Sequence, residues 1–130
     1  MFSHIMVGAN DLEASKKFYD AVLGKLGAKP GVLSPNLTGQ KRYLYFLGGS
    51  MFIITEPING EPATHGNGST IGFKAERPED ADAWHEAGVA NGGTAIEDPP
   101  GIRGDTGMQF YLAYLLDPAG NKVCAMYTVK

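Results

Sequence analysis

Few side chains in this sequence carry the chemistry of a reactive site, and they are widely spaced: His4, His65 and His85, a lone cysteine at Cys124, and Arg103 in the run Pro99-Pro100-Gly101-Ile102-Arg103. An imidazole that titrates near pH 6.5 can trade a proton with a ligand or hold a metal ion. A guanidinium grips a carboxylate or phosphate as a planar fork, so Arg103, in a loop near the rim of a cavity, is a candidate for binding an acidic ligand group. Cys124 stands among apolar residues, which predicts an inert thiol. His65 falls in a polar stretch and His85 on a helical one, and both read as solvated or packing residues. His4 lies on an apolar run, where a histidine serves either as a ligand contact or as a core residue hydrogen-bonded to a hydroxyl such as that of Thr70 or Tyr114.

A repeat brings these distant positions together. At an offset of 66 residues, Ser3-His4-Ile5-Met6-Val7 runs over Ser69-Thr70-Ile71-Gly72-Phe73, Phe18 falls on Trp84, Ala21 on Ala87 and Gly27 on Gly93. One supersecondary unit therefore occurs twice, in about residues 1–60 and 66–130, and two equivalent half-sheets would enclose a cavity. The whole chain, 1–130, reads as a single domain, because 130 residues suffice for one core and not for two.

The elements follow from pattern. His4 to Ala9 is a short apolar run suited to a buried strand, and Asn10 with Glu13 reads as a capping pair for a helix starting near Asp11. Leu12, Ser15, Tyr19, Val22, Leu23 and Leu26 share one face of that helix, Lys16, Lys17 and Asp20 the other, and Gly24 or Gly27 stops it. A short strand is expected near Val32, then a hairpin from Arg42–Leu47 and Met51–Thr55 around Gly48-Gly49-Ser50. Glu56 to Gly68 is an aperiodic linker. The second unit opens with Thr70–Ala75, continues with a helix started by Pro78 that turns Ala81, Trp84 and Gly88 inward, and stops at Gly92-Gly93. It closes with Phe110–Leu116 and Lys122–Val129 around the turn Asp117-Pro118-Ala119-Gly120-Asn121. The fold class is α+β, with two paired βαβββ units forming a curved mixed sheet.

Composition removes several functions. With 11 basic against 14 acidic residues there is no positive excess for a nucleic-acid backbone. No apolar run approaches the roughly 20 residues of a membrane span, and the opening residues lack the pattern of a secretory leader. A single cysteine cannot form an internal disulfide, which fits a cytoplasmic setting.

The opening strand with its histidine, the segment Asn10-Asp11-Leu12-Glu13-Ala14-Ser15-Lys16-Lys17-Phe18-Tyr19-Asp20-Ala21-Val22-Leu23-Gly24 and the closing Asp117-Pro118-Ala119-Gly120-Asn121-Lys122 together resemble the vicinal oxygen chelate superfamily. That group includes glyoxalases, bleomycin-resistance proteins and extradiol dioxygenases, and small bacterial glyoxalase-like proteins share the Pro-Gly-(Ile/Leu)-Arg segment found at Pro100–Arg103. The resemblance implies a glyoxalase-like cup whose metal, in the members that use one, is held by residues on the first and last strands of each unit. Those positions are His4, Thr70, Ile53 and Cys124, of which His4 alone is an ordinary ligand. No metal or other cofactor is therefore expected. Glu56, on the opposite strand face from Ile53, does not replace the missing donor.

If His4 faces the cup, strand alternation turns Met6, Gly8, Thr70, Gly72, Lys74, Cys124 and Met126 the same way. Phe46 is read as the repeat equivalent of Tyr114, and the resemblance places Phe110, Leu112 and Tyr114 in the cavity. The expected ligand-binding set is thus His4, Met6, Phe46, Thr70, Arg103, Phe110, Leu112, Tyr114, Cys124 and Met126. It suits a flat, hydrophobic small molecule oriented by one or two hydrogen bonds. Three readings stand: a metal-independent small-molecule binder akin to the bleomycin-resistance proteins, which is preferred; a metal-dependent lactoylglutathione-lyase-like or dioxygenase-like enzyme; and an assembly module whose cup is filled by side chains. The resemblance also implies a homodimer.

Overall fold

A computed structural model of the chain describes residues 1–104 and 107–129. Eleven elements follow in order among them: β1 (His4–Gly8), α1 (Leu12–Gly24), β2 (Val32–Leu33), β3 (Arg42–Leu47), β4 (Ser50–Thr55), β5 (Ile71–Lys74), α2 (Pro78–Ala90), β6 (Thr94–Ala95), β7 (Gly101–Arg103), β8 (Gln109–Leu116) and β9 (Lys122–Val129). They build two mixed sheets. The first has the order β1-β4-β3-β2, and the second β5-β9-β8-β6 with β7 also on β8. In each sheet the opening strand runs parallel to the last and the hairpin is antiparallel. No helix among the described residues is long and apolar enough to cross a membrane.

The duplication is exact in the helices: α1 and α2 each span 13 residues and start 66 positions apart. Their strand partners confirm the hairpin alignment, because Ile5 pairs with Phe52 and Ile71 with Val123. The second half differs in one respect. Where the first has a single short β2, the second has β6 and β7, and this longer connection moves its hairpin further along the chain. Leu44 and Tyr114 are opposite Ile53 and Cys124 respectively, so the repeat offset is 70 at this point and Tyr114 corresponds to Leu44. Phe46 corresponds to Leu116, which corrects the expected pairing of Phe46 with Tyr114. The two paired units form the expected α+β fold as two mixed sheets, with no hydrogen bonds between β1 and β5.

One core lies beneath both sheets, on the side the helices cover. Phe18, Tyr19, Val22 and Leu23 of α1 and Ala81 and Trp84 of α2 are buried there with Tyr45, Phe52, Ile54, Leu115 and Val123. The two halves meet through rings: Tyr19 packs 4.8 Å from Phe52 and 6.5 Å from Phe73, and Phe52 stands edge-on to Phe73 at 5.1 Å. Gly88 and Gly93 let this helix pair close up, since a Cβ at Gly93 would come within 2.5 Å of Phe18.

Helix α1 starts differently from the local expectation. Asp11 is its N-cap and accepts from Ala14 N at 3.1 Å, while Asn10 instead exchanges two hydrogen bonds with Ala63 of the linker. Glu13 accepts from the Tyr43 hydroxyl, and Asp20 from the Tyr45 hydroxyl, so β3 is tied to the helix by two phenols. Leu26, expected on the helix, lies past its end but still packs on the core.

The buried carboxylate of Asp117 ties the halves together. It accepts from the Tyr19 hydroxyl at 2.6 Å, from Ala119 N and Asn121 N, and from Asn121 Nδ2, which also donates to Gly8 O. Replacing Tyr19 by Phe keeps the ring packing and removes one hydrogen bond to a buried charge. The expected loss is about 1.5–3 kcal/mol, read as a lower urea midpoint at unchanged slope. A second expectation concerns alkali. Burial first, then Asp117, raises the Tyr19 pKa well above the ordinary value; burial and Asp20 raise that of Tyr45, and the bond to Asp82 pushes Tyr111 to about 12. Folding holds these protons, so the associated stability is intact below about pH 10, where unfolded tyrosine ionises, and declines above it. Urea midpoints should fall most steeply between about pH 9.5 and 11, beyond the smaller decline from about pH 8.5 that the raised Cys124 thiol contributes; a midpoint that rises there contradicts the assignment.

Candidate functional site

Open space lies between the two halves. Strands β1 and β5 are the terminal strands of their sheets, and no backbone hydrogen bond joins them. Two cavities lie along this seam. The larger, about 500 Å³, opens at the start of β1 and the end of β5; Tyr45, Met51, Phe52 and Phe73 give it aromatic and apolar walls, with His4 and Asp80 among its polar groups. The smaller, about 360 Å³, opens at the other end, between Met6, Ile71, the linker residues Thr64 and Ser69, and Asn121 and Lys122.

The two cavities are repeat equivalents. Gly72, Phe73 and Lys74 of the larger correspond at offset 66 to Met6, Val7 and Gly8 of the smaller. Met51 corresponds to Lys122 through the β4 and β9 registers, and Phe2 and Ser3, which lead into β1, correspond to Gly68 and Ser69, which lead into β5. The same architecture thus provides an aromatic cavity at one end and a hydroxyl-lined, cationic one at the other.

The expected binding residues divide between these cavities and the helix-free face of the sheets. His4 lines the larger cavity, where its Nδ1 is 2.8 Å from the Ser3 hydroxyl. Met6 lines the smaller. Thr70 is exposed and precedes β5. Cys124 and Leu112, at 5% and 9% exposure, lie on the floor of the helix-free face with Ile53 at 4%. Gly72 keeps that floor low beside Cys124, since a Cβ there would be 3.3 Å from the sulfur. Met126 and Phe110 are half-buried on the same face. Phe46 is exposed at its rim. The structure therefore gathers Leu112, Tyr114, Cys124 and Met126, and leaves His4 and Phe46 on the other sheet.

Tyr114 is the centre of a charged cluster that sequence reasoning identified only in part. The Arg103 guanidinium carbon is 5.5 Å from its ring centroid and Lys122 Nζ is 4.9 Å away, both at cation–π range. Arg103 is committed to its own loop: Nη1 donates to Gly101 O and Leu112 O, and Nη2 to Asp98 O and Pro99 O. Its guanidinium fastens β7 and the Asp98-Pro99 turn to β8. Lys122 pairs with Glu97, which raises the lysine's pKa. Glu97 has a φ of 60°, the left-handed region, and is the non-glycine residue in that region among those described. Lys122 shares strand parity with Cys124 and Met126, so its place was available from the alternation; Glu97, in a loop, gave no such signal. His65 packs its ring against Gly120, and His85 is half-buried on α2 with its pKa lowered by that burial.

A divalent ion finds a poor donor set at the four positions on the first and last strands. Ile53 has no donor atom and Thr70 has a hydroxyl. Cys124 supplies a sulfur, and burial pushes its thiol up to about 11 against a weaker opposing pull from Lys122. Among the described residues no three His, Cys, Asp or Glu side chains converge on a common point. The residues present do not fit a metal centre of the expected kind.

Comparison with known proteins gives a consistent picture of the fold. The model of the Glyoxalase/Bleomycin resistance protein/Dioxygenase superfamily matches residues 1–125. A glyoxalase/bleomycin resistance protein from Albidiferax ferrireducens T118 is 61% identical, with 98% of each chain covered and a TM-score of 0.89. A glyoxalase/bleomycin resistance protein/dioxygenase family enzyme from Burkholderia phytofirmans PsJN, 21% identical over 98% of each chain, gives a TM-score of 0.69. A lactoylglutathione lyase from Agrobacterium tumefaciens, 23% identical over 98% of this chain and 92% of its own, gives 0.64. The last two likenesses speak to fold alone. No curated protein matches the chain.

The state of Cys124 is directly measurable. In the folded protein its reaction with a disulfide reagent at pH 8 should be at least tenfold slower than in urea-unfolded protein, and its rate should still be rising between pH 9 and 10.5, because the thiolate forms only near pH 11. A rate that levels off below pH 8 would mean an activated thiolate.

Proposed function

Because the chain belongs to the Glyoxalase/Bleomycin resistance protein/Dioxygenase superfamily, we propose that it uses the family's paired-unit architecture to bind a flat, largely hydrophobic small molecule between its halves, without a resident metal. The observation that carries this reading is the cavity of about 500 Å³ at the seam, within the size range of small-molecule sites. Most of its walls are rings and aliphatic chains from both halves, and His4, Ser50, Lys74, Glu76 and Asp80 supply polar groups that can orient an apolar ligand by one or two hydrogen bonds. His4 is the natural orienting group: its imidazole is on the cavity wall, and the Ser3 hydroxyl fixes one ring nitrogen.

Binding in place of metal chemistry follows from the donor set. An enediolate or oxygen-activating mechanism needs an ion held at several points, and Ile53 and Thr70, at two of the four positions, do not hold one. Met6, Val32 and Phe46 are exposed on the helix-free face of the first sheet, which supports pairing with a second copy of the chain, and a single buried cysteine supports a reducing cytoplasmic setting.

The test uses N-phenyl-1-naphthylamine, a neutral apolar fluorophore, as probe. Chelator-treated protein should enhance its fluorescence saturably with one site per chain, and Met51→Trp, which fills the larger cavity, should weaken binding at least tenfold while leaving the melting temperature within a few degrees. Elemental analysis of untreated protein should find no transition metal near one equivalent. Absence of saturable binding, or loss of binding on chelation with recovery on metal addition, overturns the reading.

A further inference from the structure

The smaller seam cavity differs from its repeat equivalent in the groups it presents. At about 360 Å³ it is lined by Thr64, Ser69, Asn121 and Lys122 together with the apolar Met6 and Ile71, and no acidic side chain lines it. Its cation, Lys122, stands where the larger cavity has Met51. Lys122 lines the smaller cavity while its ammonium is engaged by two partners that do not, the ring of Tyr114 and the carboxylate of Glu97. Glu97 reaches it from a left-handed backbone position that a side-chain-bearing residue rarely adopts. Both members of the pair remain partly open to solvent, at 35% and 41% side-chain exposure, so the contact can exchange. The other nearby cation cannot substitute, because Arg103 is held by four backbone carbonyls.

We propose that this smaller cavity is a binding site for a small organic carboxylate, and that Glu97 is an internal competitor occupying Lys122 until such a ligand displaces it. The inference rests on the seam being a ligand-binding region and adds a second site, with its own ligand class, to that reading. In the bound state the ligand carboxylate takes the Lys122 ammonium, with the hydroxyls of Thr64 and Ser69 at hand as donors. A short apolar body lies on Met6 and Ile71. The lysine moves from one carboxylate to another, no bond is made or broken, and Glu97 is freed to relax its backbone. A competitor that holds the lysine most of the time lowers the apparent affinity by the fraction of lysine left free. Removing its charge therefore tightens binding.

Benzoate and its neutral isostere benzyl alcohol are the probes, titrated calorimetrically into the full chain. Benzoate should bind at least tenfold more tightly than benzyl alcohol. Glu97→Gln should tighten benzoate about tenfold, Lys122→Gln should weaken it at least tenfold, Lys122→Arg should restore most of the loss, and none of the three should change benzyl alcohol. Binding of N-phenyl-1-naphthylamine in the larger cavity should stay constant throughout, which also reports that the variants are folded. Equal affinity for the two probes, indifference to Lys122→Gln, or weaker benzoate binding in Glu97→Gln overturns the proposal. If the naphthylamine binds and benzoate fails these tests, the carboxylate site alone is refuted; if neither probe binds any variant, the reading of the seam as a ligand site falls with it.

Discussion

Asp117 is a carboxylate at 3% exposure, and a charge that deep is tolerable only with donors on every side. Here the donors come from three separate places: the phenol of Tyr19 on α1, two amides of its own turn, and the side chain of Asn121. Asn121 in turn holds the last carbonyl of β1. The result is that the turn of the second hairpin, 98 positions from Tyr19, fixes both the helix and the opening strand of the first half. A turn sequence that reads as local punctuation is also the clasp between the repeats. Breaking any one donor leaves a buried charge short of a partner in the core.

That clasp matters because the sheets themselves do not join. A closed ladder between β1 and β5 would have filled the seam with backbone hydrogen bonds and left no room for a ligand. The halves instead cohere through the packed helices and through the rings of Tyr19, Phe52 and Phe73, all on the covered side. Where that packing ends, the unjoined strands leave cavities at both ends of the seam.

How much of this was legible in the sequence depended on whether the deciding contact was local or periodic. The helices were legible because both halves keep the same length and spacing, and the hairpin alignment of Phe52 with Val123 was legible because both flank short apolar runs. The capping role assigned to Asn10 failed because its side chain pairs with Ala63, 53 residues on, leaving Asp11 to cap. Pairing Phe46 with Tyr114 slipped by two residues because the connection after α2 is longer than its counterpart and holds two short strands. Arg103 was read as a rim cation open to an acidic ligand group; its place beside Tyr114 and its engagement by four carbonyls of its own loop and neighbouring strand have no sequence signature. Lys122 was in phase with Cys124 all along; its significance came only with Glu97, whose position depends on a single unusual backbone angle.

Duplication explains why one small chain can hold two unlike cavities. A two-fold repeat makes equivalent positions twice, and each copy is then free to change as long as the shared core survives. The core positions did survive: Phe18 and Trp84, Phe52 and Val123, are apolar and buried in both halves. The seam positions diverged. Met51 became Lys122 and Phe2 became Gly68, which exchanges an apolar wall for a cation among hydroxyls, while Gly8 of the smaller cavity is Lys74 in the larger. The same divergence separates His4 from Thr70 and Ile53 from Cys124, so the four positions where a symmetric fold could converge donors on one ion carry four different side chains. Symmetry of the backbone, with asymmetry of the atoms that face the seam, favours two ligands of different chemistry over one ion shared by both halves.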